Sequence, residues 1–356
     1  MRLFTIGPVQ MYQHTLNIGA NLIPYFRTNE FSNIMLEIDE MLKNIIGTDT
    51  SSESIYLTAS GTAAMEATVM NCLDRSDKAL VISGGSFGKR FEQICEIHSI
   101  SYDALRLGVD EEFRSESLKP YEAKGYTAML VNLHETSTGQ LYDIKVLSSF
   151  CKRNNMYLIV DAISTFLCDT YNMDKFGIDV SIISSQKGLC LPPGISIVVL
   201  NQKIISEKVN SINPRSLYFD FKDYMNNLRR GQTPFTPAVG LFLQLQDMLK
   251  HITDIGIENR LLEVKNRCEH FRNNIKNMPI TLPNYPLSNA ITPILFKQDI
   301  AMKIFEELKD KQQIFVNPTG GELEDRSLRI SHVGDLSLAD NTILLNEIKK
   351  CLNDDK

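Results

Sequence analysis

Short apolar runs that alternate with helix-forming segments constrain the fold of this chain more than any other feature. The runs are the length of strands, and several of the segments between them have the spacing of amphipathic helices. Strand–helix–strand alternation is typical of a parallel sheet with right-handed crossovers. The sequence therefore predicts an α/β fold. The runs cover residues 55–58, 79–82, 127–133, 156–160, 180–183 and 195–200.

Helices are predicted where apolar residues recur every three or four positions. Residues 31–46 have this spacing, and Gly47 follows as a stop signal. Further helices are expected from Ala63 onward, over 147–154 and over 238–249. Residues 1–30 are expected to be irregular, because Gly and Pro punctuate them.

The pattern changes after residue 254, where the sequence predicts a smaller α+β unit. We expect helices over 259–277, 301–311 and 338–352, and strands over 291–296 and 327–331. The chain is thus divided into an N-terminal segment (1–15), a large domain (16–253) and a small C-terminal domain (254–356). Residues 353–356 are expected to form a frayed tail.

Charge and cysteine content exclude several classes of function. A net charge of −6 gives no electrostatic footprint for nucleic acid. The seven cysteines form no CxxC pair and have no Cys/His ligand spacing, so no metal site is expected and reduced thiols are the simplest interpretation. The N-terminal residues have no long apolar core and no cleavage signal, so no signal peptide is expected, and no apolar run is long enough to cross a membrane. We therefore expect a cytoplasmic protein.

One lysine follows a buried run at the start of a rigid loop. Lys187 comes after the run 180–183, and Pro192, Pro193 and Gly194 stiffen the loop beyond it. A desolvated lysine can form a Schiff base and act as a nucleophile near neutral pH. The alternative is a solvated lysine at a strand end, which the segment alone leaves equally open.

An aspartate ends another apolar run upstream. Asp161 follows residues 156–160 and is expected at the carboxyl end of a parallel strand, where α/β sheets bind ligands. A carboxylate there can hold the protonated ring nitrogen of pyridoxal phosphate, a cofactor that also needs a lysine. Asp161 and Lys187 would supply these two contacts. The alternative for Asp161 alone is a helix N-cap.

These motifs together resemble a known family. Residues 161–164 (DAIS), 184–187 (SSQK) and 192–194 (PPG) are similar to those of the class V, fold-type I aminotransferases. That family includes alanine–glyoxylate, serine–pyruvate and 2-aminoethylphosphonate–pyruvate enzymes. The likeness extends from Gly7 to Arg329. It implies pyridoxal phosphate, a mainly parallel sheet in a large domain, a smaller α+β domain, and transfer of an amino group to a small 2-oxo acid.

A phosphate site is expected after the run 55–58. A strand, small hydroxyl residues with a glycine, and a helix start together place free N–H groups and a helix dipole before an anion. An ordinary N-cap is the alternative. In the family this position is the phosphate cup, and the resemblance adds an aromatic ring that stacks on the cofactor. The cofactor-binding residues it implies, besides Lys187 and Asp161, are Ser60, Gly61, Thr62, Phe87, Thr136, Ile163, Gln186 and Thr236.

The resemblance also implies a homodimer with a composite active site. In the family a Thr-Pro loop reaches the partner's cofactor phosphate, which matches Thr236, with Thr233 nearby. An N-cap before Pro237 is the alternative, and it is compatible with the first role. Arg329 resembles the arginine that binds the substrate carboxylate, for which a planar guanidinium is suited. A surface ion pair is the alternative.

Other substrate contacts are expected from the N-terminal region. Gly7 resembles a family residue beside the substrate. Arg27 lies in a short aromatic and cationic patch, either on a lid facing an anion or on a surface turn. A phosphonate substrate would need more cations, and Arg27, Arg229 and Arg230 are candidates. His134 is expected to be a structural histidine, as most are.

Competing functions remain open at this stage. A cysteine desulfurase would need a cysteine shortly before the carboxylate-binding arginine, and residues 299–329 contain none. A lyase on the same scaffold is harder to exclude. A binding module without catalysis would not need Lys187, Asp161 and Arg329 together.

Overall fold

The computed structural model describes residues 1–354, and their strands form two large sheets. None of the helices in this part of the chain has the length and apolar character needed to cross a bilayer. The strands are β1 (Arg2–Phe4), β2 (Glu53–Leu57), β3 (Lys78–Ser83), β4 (Ser101–Arg106), β5 (Ala128–Asn132), β6 (His134–Glu135), β7 (Gln140–Leu141), β8 (Tyr157–Asp161), β9 (Val180–Ser184), β10 (Ser196–Leu200), β11 (Ile280–Thr281), β12 (Ile291–Phe296), β13 (Ile314–Pro318) and β14 (Ser327–Ser331).

Helices cover the sheets and connect most of their strands. Gly47 ends α2 in a left-handed conformation, as predicted. The helices are α1 (Gln13–Gly19), α2 (Asn29–Ile46), α3 (Gly61–Cys72), α4 (Ser86–Ile97), α5 (Ile144–Arg153), α6 (Gln202–Ile204), α7 (Phe221–Leu228), α8 (Val239–Ile255), α9 (Ile257–Asn274), α10 (Ala301–Gln312) and α11 (Leu338–Asp354).

The larger sheet has the strand order β2-β10-β9-β8-β5-β3-β4. The pairs within β9-β8-β5-β3-β4 are all parallel, which confirms the predicted mainly parallel sheet. Only β10 runs the other way, antiparallel to both β9 and β2. The reason lies in its connection. A loop without a helix joins β9 to β10, whereas a parallel neighbour needs a long crossover.

Both faces of this sheet are buried. Alternate residues of one strand belong to different core clusters: Leu80 and Ile82 pack on one side, and Ala79 and Val81 on the other. A parallel sheet covered by helices on both faces produces this pattern and explains why the strands are apolar runs. Only the strand ends are left to carry polar chemistry.

The smaller sheet has the order β1-β13-β14-β12-β11. Its first strand comes from the N-terminus, where β1 pairs in parallel with β13 and Phe4 enters the small core. The expectation that residues 1–30 are irregular is therefore wrong, since both β1 and α1 lie there. The predicted domain division stays a prediction, and we propose that residues 2–4 be grouped with the C-terminal unit.

Most predicted elements lie within a few residues of their observed bounds, but some were missed. Strand β4 was missed because it is an edge strand in which only Leu105 is buried, so it lacks an apolar run. Strands β12 and β14 match their predicted bounds. Residues 355–356 of the expected tail lie outside the described residues, and Asn353 is part of α11.

Candidate active site

The carboxyl ends of β2, β3, β5, β8 and β9 lie at one edge of the larger sheet, and Lys187 lies three residues beyond β9. Its side chain is only 9% exposed, so the solvated alternative is wrong. Within residues 1–354, no hydrogen bond or ion pair involves its ammonium group. Burial lowers the pKa of Lys187 to about 8, and the nearby charge of Asp161 opposes this shift. Near neutral pH a fraction of this amine is therefore uncharged.

Asp161 ends β8 and is buried. One carboxylate oxygen accepts a 2.8 Å hydrogen bond from the backbone N–H of Ile163, and the other accepts one from the side-chain amide of Asn132. Burial raises the pKa of Asp161 to about 6, although both hydrogen bonds and the charge of Lys187 act to lower it. No helix lies between β8 and β9, so the N-cap alternative is wrong.

The N-terminus of α3 lies where the anion site is expected. Helix α3 begins at Gly61, not at Ala63, and Ser60 is its N-cap with no side-chain capping bond. The Ser60 hydroxyl is thus available to an outside partner, along with the free N–H groups of the first turn. Thr62 accepts a 2.9 Å hydrogen bond from Arg90. The Ile163 side chain packs within 2.4 Å of the place where a Cβ on Gly61 would lie.

Phe87 lies in the first turn of α4 and is half-buried, so it is not a core residue. The guanidinium of Arg90 lies 4.9 Å from the centre of its ring. The buried carboxylate of Glu135 accepts hydrogen bonds from the backbone N–H groups of Phe87 and Gly88. A Cβ on Gly88 would come within 2.5 Å of the Ser83 backbone, so only glycine lets α4 approach β3 this closely.

Thr136 joins two parts of the site. Its hydroxyl shares a 2.8 Å hydrogen bond with Ser164, and its backbone carbonyl accepts one from Arg329 at 2.9 Å. Arg329 also donates to the Pro318 carbonyl at 2.7 Å, while its buried Nε has no partner among the described residues. No carboxylate within residues 1–354 pairs with Arg329, so the surface ion-pair alternative is wrong.

His134 is buried against the Ser164 carbonyl, and burial lowers its pKa to about 3, as expected of a structural histidine.

Gly7 lies directly against Lys187. A Cβ on Gly7 would be 3.0 Å from Cδ and Cε of Lys187 and 3.2 Å from its Nζ. Through Gly7, the N-terminal segment forms one wall of the lysine site. Gln186, which directly precedes Lys187, accepts a 2.6 Å hydrogen bond from the Ser184 hydroxyl.

Arg27 and Thr236 lie apart from this cluster within the single chain. Arg27 is exposed and donates to the carbonyls of Thr233 and Pro234. Thr236 is exposed on the same loop, and the N-cap of α8 is Ala238, so the N-cap alternative for Thr236 is wrong. The Ala238 backbone N–H donates to the Thr58 hydroxyl at 3.1 Å, close to the anion site.

The two further arginines considered for a phosphonate lie at the end of α7. Arg229 contacts Asn226 and Glu53, and Arg230 contacts Asn227. Both arginines are exposed. Their contacts are those of surface residues.

Sequence reasoning missed Arg90, Asn132 and Glu135. Arg90 follows Phe87 by three residues on the same helix, a spacing that brings side chains together and could have identified it. Asn132 ends β5 and is the register partner of Asp161. Glu135 directly precedes Thr136, but its contact with α4 is not visible in sequence.

The residues present fit pyridoxal phosphate. The site offers a buried amine with a lowered pKa at Lys187, a carboxylate at Asp161, a helix N-terminus with a free hydroxyl at Ser60, and a half-buried ring at Phe87. These match, in turn, the aldehyde, the ring nitrogen, the phosphate and the ring face of the cofactor.

Comparison with known proteins agrees with this geometry. The family model for Aminotransferase class-V matches residues 11–321. The chain belongs to the class-V aminotransferase family. It is an aminotransferase, and its cofactor is pyridoxal phosphate. A binding module without catalysis is thereby excluded.

Relatives and solved structures extend along nearly the whole chain. An uncharacterised aminotransferase of Methanocaldococcus jannaschii is 30% identical over 92% of this chain and 86% of its own. The serine–glyoxylate aminotransferase of Methylorubrum extorquens is 25% identical over 94% of this chain and 87% of its own. The crystal structure of a Thermus thermophilus aspartate aminotransferase has a TM-score of 0.92, with 99% of both chains covered at 23% identity. That structure shares the fold of this chain.

Proposed function

We propose that this aminotransferase transfers the amino group of a small amino acid to a small 2-oxo acid such as glyoxylate or pyruvate, with Lys187 as its catalytic residue. The observation that carries the proposal is the position of Lys187, a buried amine near the charges of Asp161 and Arg329. Within residues 1–354 its ammonium group has no hydrogen-bond or ion-pair partner. Pyridoxal phosphate, when bound, supplies a ring that accepts the electron pair left by the broken Cα–H bond.

Lys187 serves as both the attachment point and the base. Its pKa of about 8 leaves a neutral fraction that can take the Cα proton of the donor. The same Nζ would then release this proton to C4′, the cofactor carbon that receives the amino group. Gly7 limits the movement of the lysine side chain by lying against Cδ and Cε.

The remaining residues bind and orient. Asp161 holds the ring nitrogen in its protonated state, and Asn132 and the Ile163 N–H hold that carboxylate. Phe87 covers the ring face, and Thr136 and Ile163 line the site near it. Ser60, Gly61, Thr62 and Gln186 bind the phosphate at the N-terminus of α3.

Arg329 binds the substrate carboxylate in this proposal. Its guanidinium is fixed by the carbonyls of Thr136 and Pro318 but has no carboxylate partner within residues 1–354. A buried guanidinium without a counter-charge attracts a carboxylate strongly. The Methylorubrum relative, named for serine and glyoxylate, supports substrates of this size. Arg229 and Arg230, the further cations considered for a phosphonate, are exposed and contact surface residues instead.

We further propose that two copies of the chain form a dimer. Thr236 of one copy binds the cofactor phosphate of the other, and Arg27 holds the loop that carries Thr236. Large apolar side chains stand exposed around this loop: Leu22 is 97% exposed and Leu217 is 81% exposed. A cavity of about 900 Å³, lined by Thr236 and residues near Leu22, opens beside them. Exposed apolar surface of this kind is typical of an interface.

Buried cysteines support a cytoplasmic location. Six of the cysteines are buried as free thiols, and these six form no disulfide within residues 1–354. Such thiols persist in a reducing compartment. Fractionation of the source cells with a compartment marker tests this part of the proposal.

The substrate proposal is tested by donor titration. Purified protein with added pyridoxal phosphate is mixed in turn with alanine, serine, aspartate, glutamate and 2-aminoethylphosphonate, and the visible absorption of the bound cofactor is followed. Loss of the visible band with one small amino acid, followed by its return with glyoxylate or pyruvate, is the expected result. A response to 2-aminoethylphosphonate alone would contradict the proposed substrate class.

The dimer is tested by mixing two inactive variants. Lys187→Ala and Thr236→Ala proteins are combined, unfolded together and refolded. In a composite site, the mixed dimer regains one intact site, so activity returns toward about a quarter of the wild-type value. Light scattering of each variant provides the mass. A monomer, or no recovery from a verified mixed dimer, would contradict the proposal.

A further inference from the structure

Arg260, on α9, is 1% exposed and makes contacts that the proposed chemistry does not use. It donates to the Tyr12 hydroxyl at 2.7 Å, to the Cys190 sulfur at 3.1 Å and to the Gly188 carbonyl at 3.3 Å. Among the described residues, its one carboxylate contact is Glu263, at 3.2 Å and 43% exposed. A buried charge is costly to retain, so the contacts that hold this guanidinium call for a structural or functional explanation.

Two of these partners belong to the turn that carries Lys187. The Cys190 backbone N–H bonds back to the Lys187 carbonyl at 2.8 Å, which closes a turn of residues 187–190. Cys190 has a φ of +54°, an uncommon conformation for a residue with a side chain. Arg260 bonds the Gly188 carbonyl and the Cys190 side chain, and thus holds both ends of the segment that follows Lys187.

Close packing restricts the position of this turn. A Cβ on Gly188 would lie 2.1 Å from the Phe166 carbonyl oxygen, so the turn presses on the loop after β8. Arg260 bonds the same turn. The turn is therefore held both by the loop that follows Asp161 and by a guanidinium from α9.

The third partner connects Arg260 to the N-terminal segment. Tyr12 precedes α1, and the Arg260 guanidinium lies 5.7 Å from the centre of its ring. The same segment carries Gly7, which touches the Lys187 side chain. One buried guanidinium thus binds the backbone turn of the lysine and the segment that packs against its side chain.

We propose that Arg260 is a positioning residue that orients Lys187 for covalent attachment to the cofactor. It never touches the cofactor; it acts through Gly188, Cys190 and Tyr12. The inference rests on the proposed role of Lys187. Loss of the guanidinium frees the turn, and a displacement of the order of 1 Å at a reacting group costs about tenfold to a hundredfold.

Arg267 provides a matched control on the same helix. It is also buried, and it donates to the carbonyls of His332 and Leu336, both within the C-terminal part of the chain. It contacts neither the Lys187 turn nor Tyr12. Replacement of either arginine by methionine removes a buried charge and leaves partner carbonyls without a donor.

The test measures cofactor attachment in Arg260→Met, Arg260→Lys, Tyr12→Phe and Arg267→Met. Each apoprotein is mixed with pyridoxal phosphate, and the rate and extent of growth of the lysine-bound absorption band are recorded without substrate. Borohydride fixation and peptide mass spectrometry then identify the modified lysine. Thermal unfolding compares the stabilities.

We expect attachment to slow by about tenfold or more in Arg260→Met, by less in Arg260→Lys and Tyr12→Phe, and by under twofold in Arg267→Met. Attachment in Arg260→Met equal to that in Arg267→Met at similar stability overturns the inference. If Arg260→Met does not fold, wild-type attachment rates in both Arg260→Lys and Tyr12→Phe overturn it. Fixation of wild-type protein at a lysine other than Lys187 refutes the proposed function instead.

Discussion

The buried carboxylate of Glu135 accepts a hydrogen bond from the backbone N–H of Gly88 at 3.0 Å and so caps the first turn of α4. Glu135→Gln removes the charge and turns an N–H donor toward the helix. We expect the free energy of unfolding to fall by about 1–3 kcal/mol because the helix loses its charged cap. We also expect about tenfold weaker binding of pyridoxal phosphate, because Phe87 lies in this turn. Equilibrium titration of the apoprotein measures the affinity.

Glu111 provides the control for this change. It also accepts a backbone hydrogen bond from a glycine, Gly108, at 3.0 Å, but it is exposed. Glu111→Gln is expected to leave cofactor affinity unchanged. Equal affinities in both variants would show that the cap does not position Phe87.

Lys187→Met is expected to abolish turnover and yet stabilise the apoprotein. The pKa of Lys187 falls from 10.5 to about 8 in the folded protein, so the folded state binds fewer protons than the unfolded state between these values. Below pH 8 the lysine lowers stability by about 3 kcal/mol, and this loss disappears as the pH rises toward 10.5. Turnover should fall by about a thousandfold or more.

Denaturant unfolding at pH 7 and pH 9.5 measures the stability, and a transamination assay measures the activity. Lys208 is the matched control because both oxygens of Asp77 bind its ammonium, at 2.7 and 2.8 Å. Lys208→Met should therefore destabilise the protein and leave its chemistry intact. Transamination by Lys187→Met would refute the catalytic assignment.

Much of the site could be predicted because its chemistry lies at strand ends. Asp161 and Lys187 both follow apolar runs, and parallel strands end at a common edge, so their proximity follows from the order of the elements. The candidate anion site after β2 is equally local, since a strand, a hydroxyl and a helix start are adjacent in sequence.

The contacts that hold these residues could not be predicted. Arg260 lies 72 residues after Gly188 and 248 after Tyr12, and two of its partners are a carbonyl and a thiol, which carry no sequence pattern. Strand β1 joins β13 across almost the whole chain. Such pairings depend on the packing of the finished fold, whereas periodicity reports only local structure.

Asp161→Asn is expected to remove part of the pH dependence of apoprotein stability. The pKa of Asp161 rises from 3.8 to about 6 on folding, so the folded state binds an extra proton between these values. Stability is therefore lost as the pH rises from about 4 to about 6, by roughly 3 kcal/mol at most. The variant should lose less over this range, bind the cofactor more weakly and turn over more slowly.

Asp169 is the control that separates the effect on the pH dependence of stability from the effect on cofactor binding. Burial also raises its pKa to about 6, and it binds Ser288 and the Asn289 N–H, away from Lys187. Asp169→Asn should flatten the stability profile in the same way and keep cofactor affinity. Unfolding from pH 4 to 7 is the measurement, and a steeper loss in Asp161→Asn would contradict the sign.

Arg329→Lys is expected to raise the KM for amino acids by about 10- to 100-fold with a smaller change in kcat, because an ammonium cannot bind a carboxylate through two parallel bonds. Arg272 is a suitable control, since it donates to the Thr292 hydroxyl and to the Ser288 and Ile291 carbonyls. Arg272→Lys is expected to lower stability and to leave the KM unchanged. Steady-state kinetics with several donors decide, and an unchanged KM for Arg329→Lys would assign the carboxylate to another residue.

Gly7→Ala tests the wall against which Lys187 lies. Gly7 has a φ of +155°, which strains any other residue, and the new Cβ would lie 3.0 Å from Cδ and Cε of Lys187. The lysine must move by a few tenths of an ångström, so we expect slower cofactor attachment and about tenfold lower kcat. Gly320→Ala is the control, since nothing lies within 4 Å of its new Cβ. Stopped-flow attachment and steady-state assays measure both variants, and equal rates would show that Gly7 merely covers the lysine.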